Sequence, residues 1–557
     1  MTVLGVHRDY LLEQLDPAGH PETYALRCPP RFNFAYDVVD LLGSRTPDRR
    51  ALVWRNDAGE RRTLTFGEVA ELSDRAASFF LSLGVRKGDR VLLILKRHYQ
   101  FWYAILGLHK VGAIAVPATH QLKQYDLVFR LREAGITAVV CTADGDIAAQ
   151  VEAAEAECGM HLEKMIVRGA RPGWHGFDEG VSAAPAYRRP LPDDMPTVDD
   201  PMLLYFTSGT TAQPKMVVHD FAYPVAHIPT AKYWHRVDPE GLHLTVSDTG
   251  WAKSAWGKLY GQWFLETAVD VYDVDRFDPE RLLRHIEDVG VTTFCAAPTV
   301  YRFLITHDLG RYDLSRLQHC TIAGEAMNPA VYEAFREKTG LELKEGYGQT
   351  ETTLTVVTNY WQATKAGSMG KPSPAYDVVL LTEDGREAGP GEKGEICLRT
   401  PHGRRPVGMF TGYYLDPAAT AARWHDDVYH TGDLARSDED GYLWYVGRTD
   451  DMIKTSGYRV GPFEVESVVM QHPAVVECAV TGTPDDLRGT VVKATIVLRE
   501  GYAPGEELRR EIQAFVKART APYKYPRVVE FVDAMPKTIS GKIRRVEIRD
   551  APAPPTS

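Results

Sequence analysis

The sequence predicts an α/β fold in two parts: a large N-terminal domain of parallel-rich α/β sheets with a small β subdomain, then a small C-terminal α+β domain. Three observations predict it. At 557 residues the chain exceeds the roughly 250 to 300 residues at which a single core stops growing. Helix and strand signals alternate along most of its length, the pattern of sheets whose parallel strands are joined by helices. A tight polar segment, GRTDDMIKTSGYR (447–459), then separates that run from a second block.

The first clear unit, TFGEVAELSDRAASFFLSLG (65–84), opens on a capping box of Thr65 and Glu68. It carries Val69, Leu72, Ala76, Phe79 and Leu83 on one helical face and stops at Gly84. The strand VLLIL (91–95) follows. The same grammar recurs at 278–297, where Asp278 caps a helix with Pro279 in its first turn and Gly290 after its end, before the strand VTTFCAA. Residues 169–201, rich in Pro, Gly and charge, read as a surface connection ahead of a buried strand, LLYF (203–206). From about 387 to 448, short glycine-rich strands such as GEKGEICLRT and GYLWYVG predict the β subdomain. The final block supplies strands at ECAVTG, TVVKATIVL and RVVEFV, and a helix with Leu508, Ile512 and Phe515 turned inward. The boundary falls near Asp450, giving domains 1–449 and 450–557, and the tail APAPPTS reads as disordered.

Composition excludes several function classes. Hydrophobic and charged contents of 44% and 25% are those of a globular protein. No apolar run approaches the roughly 18 to 20 residues of a membrane span, so stable membrane insertion is not expected. The N-terminus lacks a basic segment followed by an apolar core, which predicts a cytoplasmic rather than a secreted protein. Seven dispersed cysteines with no C-x-x-C pair argue against a disulfide framework or a zinc site. A net charge of -11 disfavours nonspecific nucleic-acid binding. That charge is uneven, because from Asp451 onward 16 Lys and Arg face 14 Asp and Glu, which leaves a mildly basic end on an acidic body.

The most informative stretch is TSGTTAQPK (207–215). It resembles a P-loop in placing Lys215 six residues after Gly209, but Pro214 stands where that motif has its second glycine and Met216 where it has its magnesium hydroxyl. Its hydroxyls, Thr207, Ser208, Thr210 and Thr211, can wrap phosphates together with backbone N–H groups. An ordinary Ser/Thr turn has the same composition. The weight therefore rests on further segments: AGEA (323–326), EGYGQTE (345–351), YHTGD (429–433) with GRTDD (447–451), and PKTISGK (536–542).

In this order and spacing the five segments resemble the adenylate-forming, AMP-binding superfamily of acyl-CoA synthetases, carrier-protein adenylation domains and luciferases, over nearly the whole chain. SDTGW (247–251), PATHQLKQYD (117–126) and SGYRVGPFEVES (456–467) look most like the medium-chain acyl-CoA synthetase branch. One departure is Ala212, where the superfamily loop usually has glycine.

The resemblance implies an ATP-dependent acid:CoA ligase that uses ATP, Mg²⁺ and coenzyme A to convert a small-molecule carboxylic acid to an acyl-adenylate and then a thioester. It places Thr207, Ser208, Gly209, Thr210, Thr211 and Lys215 on the phosphates, and Gly324, Glu325 and Ala326 beside the adenine with Tyr347 stacked on it. Glu345, Gly346, Gly348, Gln349 and Arg459 complete the ATP-binding set. Thr350 would meet the α-phosphate, Glu351 would hold Mg²⁺, and Asp433 with Arg448 would take the ribose. Lys542 would be the adenylation lysine, and regulatory acylation there would remove its charge. Asp450 would be the hinge of a mobile C-terminal domain. Coenzyme A would be gripped by Ser456, Gly457, Tyr458, Arg488, Lys517, Tyr525, Pro526 and Arg527, and Gln121 and Trp251 would line the acyl pocket.

Two rival functions remain at this stage. An adenylation enzyme serving a carrier protein lacks support in SGYR and YKYPR, which look CoA-directed. A non-catalytic nucleotide-binding protein should have lost Lys542 or Glu351, and both are present. The acid itself is left open among medium-chain, branched and aromatic carboxylates.

Overall fold

A computed structural model of the chain describes residues 2–207, 214–325, 327–455, 458–485, 489–521, 523–538 and 542–550. The expected disordered tail lies outside them. The helix Phe66–Ser82 forms where its capping box dictates: Thr65 Oγ1 accepts from the Glu68 N–H at 3.2 Å, and Glu68 Oε2 accepts from the Thr65 N–H at 2.9 Å. Its buried face differs slightly from expectation. Ser73, Ala77 and Phe80 are buried with Val69, Ala76 and Phe79, whereas Leu72 and Leu83 are only partly covered. The cause is the helix Gln100–Val111, which approaches so closely that a Cβ on Gly107 would sit 2.9 Å from that of Ala76. Small residues face this neighbour and larger ones flank it.

Among the described residues, two large sheets carry the N-terminal part. In the first, the parallel strands Arg90–Ile94, Ile114–Pro117, Ala138–Thr142 and Glu163–Val167 are joined by Pro201–Thr207, which pairs parallel to Ile114–Pro117. In the second, Arg50–Asn56, Ala268–Asp273, Leu242–Thr245, Thr293–Ala296, His319–Ala323 and Leu343–Gly348 run parallel in that order. The Asp278 cap accepts from the Arg281 N–H at 3.0 Å, and Gly290 ends its helix at φ +69°.

A five-stranded antiparallel sheet spans Asp377–Leu381, Lys393–Arg399, Trp424–His425, Val428–Ser437 and Leu443–Arg448. Beyond it, Val475–Asp485, Gly489–Leu498 and Val528–Phe531 form a separate sheet covered by Pro462–Val469 and Glu506–Lys517, with its own apolar cluster around Val465, Val480, Ile496 and Ile512. The architecture is thus α/β, with parallel-rich sheets, a small β subdomain and a small C-terminal α+β unit. Phe515, expected inward, is half-buried against His472, and Val516 takes the core position.

The stretch 169–201 is more than a surface connection. It contains the helix Phe177–Ala183, whose Phe177 and Val181 are buried. Phe177 stacks on Tyr103 at 5.9 Å between ring centres and also meets Phe79 and Phe80. Seven residues with two apolar anchors are too short to give a periodic signal. Phe177→Ala should remove about 3 to 5 kcal/mol of local stability. It should lower the thermal midpoint of the N-terminal unit, and an unchanged midpoint would show that this helix does not brace the core.

Candidate active site

Strand Pro201–Thr207 returns as Lys215–Asp220, antiparallel, with Thr207 opposite Lys215. This differs from the strand-to-helix setting of a P-loop. Ser208, Gly209, Thr210, Thr211 and Ala212 lie outside the described residues. At the hairpin's base the Lys215 ammonium sits 4.7 Å from the centre of the Tyr413 ring, and burial, with help from Arg423, holds its pKa below the usual lysine value. Tyr413 donates its hydroxyl to Glu351 Oε1 at 2.9 Å, so Lys215 and Glu351 flank one aromatic ring. Next to Glu351, the Thr350 carbonyl accepts from His219 Nε2 at 2.7 Å. Burial pushes the His219 pKa down to about 3, so the ring is neutral with its proton on Nε2.

The strand Leu343–Gly348 delivers the next residues. Its glycines are demanded by close approach: a Cβ on Gly346 would lie 2.9 Å from the Trp234 ring, and one on Gly348 would lie 2.3 Å from the Thr353 carbonyl oxygen. Glu345 and Tyr347 project from the same face. The Tyr347 hydroxyl donates to Asp433 Oδ2 at 2.6 Å, and Gln349 Nε2 donates to the same oxygen at 2.6 Å. On the other oxygen, Tyr445 donates at 3.1 Å and Arg448 at 3.4 Å. Four donors thus meet on one carboxylate, which offers about four acceptor sites. Arg448 also donates to the Thr431 carbonyl at 3.1 Å and, through Nε, to Asp450 at 3.3 Å. The carboxylates of Asp433 and Asp450 hold its guanidinium charged, although burial opposes them.

Gly324 adopts φ +107°, a conformation open to glycine. Beside it, Glu325 Oε2 accepts from the Thr299 hydroxyl at 3.0 Å. Ala326 lies outside the described residues. Glu345, expected on the nucleotide, is buried at 4% exposure, and its carboxyl pKa is pushed up to about 8 by burial while the Met327 backbone pulls it down. Its carboxyl thus meets the Met327 backbone, and burial favours its protonated form at pH 7.

Gln121 and Trp251 belong to segments that the structure brings together. Gly250 packs so tightly that a Cβ there would lie 2.4 Å from the Ala118–Thr119 peptide, and His120 Nδ1 is 3.4 Å from Asp248. Trp251, half-buried, starts the helix Ala252–Lys258, while Gln121 is exposed.

Sequence reasoning missed Lys253, in the first turn of that helix, whose Nζ donates to the Ala323 carbonyl at 3.0 Å. Burial lowers its pKa; Cys295 and Glu325 oppose this, and the positive charge of Lys542 adds to it. Lys542 from the small unit and Lys253 from the large one are therefore close enough to feel each other's charge. Its position two residues after SDTGW was the available signal.

The remaining candidates cluster on the small unit. Lys517 Nζ lies 5.6 Å, and the Arg527 guanidinium 5.0 Å, from the centre of the Tyr525 ring. Arg527 also donates to the Tyr525 hydroxyl at 2.9 Å, and the Pro526 carbonyl accepts from Gln513 at 3.1 Å. Tyr458 and Arg459 are in the hairpin Ile453–Thr455/Tyr458–Val460, described for backbone only. Ser456, Gly457 and Arg488 lie outside the described residues.

Comparison with known proteins agrees with this geometry. The family model described as AMP-binding enzyme matches residues 42–414, and that described as AMP-binding enzyme C-terminal domain matches residues 464–542. Acyl-coenzyme A synthetase ACSM3, mitochondrial, of Mus musculus is 39% identical over 95% of this chain and 92% of its own length. Human acyl-coenzyme A synthetase ACSM5, mitochondrial, is 40% identical over 94% and 90%. Among solved structures, the anthranilate CoA ligase AuaEII in complex with anthranoyl-AMP superposes with a TM-score of 0.85 at 28% identity, covering 94% of this chain and 98% of that one. A benzoate CoA ligase from Burkholderia xenovorans LB400 gives 0.81 at 28% identity, covering 93% and 100%.

One expectation is corrected here. The acyl-coenzyme A synthetases ACSM3 and ACSM5 named above are mitochondrial enzymes, which overturns the cytoplasmic assignment. The feature behind that assignment, an N-terminus unlike a secretory signal, speaks only to secretion and never distinguished cytoplasm from mitochondrion. No helix of the described residues is long and apolar enough to cross a membrane.

The buried Glu345 makes stability depend on pH in a stated direction. Its folded pKa of about 8 lies above the usual 4.5, so the folded state keeps a proton that the unfolded state releases between those values. Stability from this group is present below about pH 4.5 and is lost as pH rises toward 8. Glu345→Gln keeps a neutral side chain and removes the titration. Its thermal midpoint should gain on wild type between pH 5 and pH 9, and parallel pH profiles would refute the assignment.

Proposed function

We infer the course of the reaction from one premise: the chain belongs to the AMP-binding enzyme family and is an ATP-dependent acid:CoA ligase working through an acyl-adenylate. A carboxylate of the acid attacks the α-phosphorus of ATP and pyrophosphate leaves. The thiol of coenzyme A then attacks the acyl carbonyl and AMP leaves.

The first step brings two anions together, and unit charges about 4 Å apart repel by roughly 4 kcal/mol at an effective dielectric of 20. Lys542 is the group we assign to offset that repulsion. The observation that carries the assignment is the segment PKTISGK, which ends on Lys542, and it is supported by the positive charge of Lys542 acting on Lys253, whose Nζ donates to the Ala323 carbonyl. Lys215 serves the outgoing phosphates. Glu351 fits Mg²⁺, because it offers a hard carboxylate oxygen next to the lysine that borders the phosphate loop, and Mg²⁺ typically takes one or two carboxylates plus phosphates. When bound, the ion would neutralise phosphate charge.

Tyr347 offers a ring for the adenine. Asp433 would accept from the ribose by exchanging protein donors for sugar hydroxyls, since its acceptor sites are already met. The thiol step needs a different partner at the same carbonyl. We assign the change of partner to rotation of residues 450–557 against 1–449 about Asp450, which would carry the patch of Lys517, Tyr525, Pro526 and Arg527 toward coenzyme A. Acylation of Lys542 would remove its charge and block only the first step.

The acid we propose is a medium-chain, branched or aromatic carboxylate, held in a pocket bordered by Gln121 and Trp251. The Trp251 indole is bulky, and two structural relatives act on anthranilate and benzoate. Trp251→Ala should shift preference toward larger acids in a graded way, by about 1 to 3 kcal/mol per methylene, with the KM for ATP unchanged. An unaltered ranking across a panel of acids would remove Trp251 from the pocket.

Lys542→Ala tests the mechanism. It should lower acid-dependent ATP–pyrophosphate exchange by about 10² to 10³, the cost of losing one preorganised charge contact. The same variant should still convert supplied acyl-adenylate and coenzyme A to thioester. Equal loss in both half-reactions, or loss in neither, would sink the assignment.

A further inference from the structure

Lys542 stands on a tightly paired stem of the small unit. Lys537 bridges to Ile543 as an antiparallel pair, the Thr538 N–H donates to the Lys542 carbonyl at 2.7 Å, and the Lys542 N–H donates to Thr538 Oγ1 at 3.1 Å. A closed stem fixes the loop only relative to the small unit. What fixes it relative to the cleft is a carboxylate between the two.

Glu477 lies on strand Val475–Asp485, and its Oε1 accepts from the Lys537 ammonium at 2.6 Å. The same oxygen is 3.9 Å from the guanidinium of Arg302, which belongs to the large unit and donates to the Val476 carbonyl at 3.4 Å. Arg302 is on the helix Pro298–Leu304, one turn after Thr299, the residue bonded to Glu325. A single helix of the large unit thus holds Glu325 with one residue and the root of the Lys542 loop with another. The Glu477 carboxyl is well covered, with 13% of its side chain exposed, so its attraction to both cations is less screened than at an open surface.

We propose that Arg302 and Glu477 are positioning residues for adenylation, locking the stem of the lysine loop onto helix Pro298–Leu304 so that Lys542 enters the cleft. This rests on the reading that the small unit changes orientation between half-reactions. Neither residue touches substrate. In the other orientation the Arg302 contacts part, while Glu477 keeps Lys537.

The test uses the full-length enzyme and the variants Arg302→Gln, Arg302→Lys and Glu477→Gln, with Lys542→Ala in parallel. Two rates are measured: acid-dependent ATP–pyrophosphate exchange, and thioester formation from supplied acyl-adenylate and coenzyme A. Both Gln variants should lower the kcat of exchange about tenfold, because they loosen a loop rather than remove a reacting group. The KM for ATP and for acid should hold, and the thioester rate should stay within about twofold, which also reports that both units are folded. Arg302→Lys should recover part of the loss, and the double Gln variant should be no worse than Glu477→Gln, since the two act through one contact. Equal loss in both half-reactions, or no loss in exchange, overturns the proposal. If Lys542→Ala separates the half-reactions while these variants do not, only the role of Arg302 and Glu477 falls. If Lys542→Ala fails to separate them, the alternation reading falls and the proposal with it.

Discussion

The cleft is organised around one carboxylate. Asp433 sits on the antiparallel sheet and accepts from Tyr347 and Gln349, which arrive from the end of the large parallel sheet, and from Tyr445 and Arg448 on its own sheet. A buried anion is tolerated only when its lone pairs are met. That requirement fixes where the two sheets must lie relative to each other. It also fixes Arg448, and with it Asp450, at the point where the chain leaves for the small unit. Removing Asp433 would therefore release Tyr347, Gln349, Tyr445 and Arg448 together.

Around this anchor the site is built from neutral and cationic groups. His219 and Glu345 are held neutral by burial, one as a donor to the Thr350 carbonyl and the other beside the Met327 backbone. Lys215, Lys253 and Lys542 supply positive charge from the hairpin, the Trp251 helix and the small unit in turn. A site that must receive a triphosphate and a carboxylate benefits from this division. Fixed cations attract both anions, and neutral buried groups shape the walls without adding repulsion.

Much of the fold was legible because its signals are local. The Thr65 capping box, the Asp278 cap with Gly290, and the apolar strand before the hydroxyl-rich loop each lie within one segment, and the structure forms each one. The helix Phe177–Ala183 was not legible, since two anchors in a Pro- and Gly-rich stretch give no periodicity until Phe79, Phe80 and Tyr103 are in place. The site divides in the same way. Motif residues such as Tyr347, Glu351 and Lys215 converge as their segments suggested. The meaning of Glu345 depended on burial, and that of Lys253 on the Ala323 carbonyl 70 residues away. Neither appears in sequence spacing.

The contacts between the units suit the proposed reorientation of the small domain. Beside the covalent connection and the packing of Pro462–Val469 on strand Leu443–Arg448, the contacts among the described residues include two partly covered ion pairs, Lys393 with Glu464 at 2.9 Å and Arg302 with Glu477 at 3.9 Å. Surface pairs contribute about 0 to 1 kcal/mol each, and the partial cover of Glu464 and Glu477 leaves these two less screened than fully open ones. Pairs of this strength would bias an orientation without trapping it, as the proposed alternation requires. Glu464 is shared with Lys524, and Glu477 with Lys537, so neither carboxylate is stranded without a cation when the small unit lets go. The penalty of an unpaired half-buried charge is thereby avoided on the side that moves. Strong binding in either orientation would favour one half-reaction at the expense of the other, and weak contacts backed by internal partners avoid that trade.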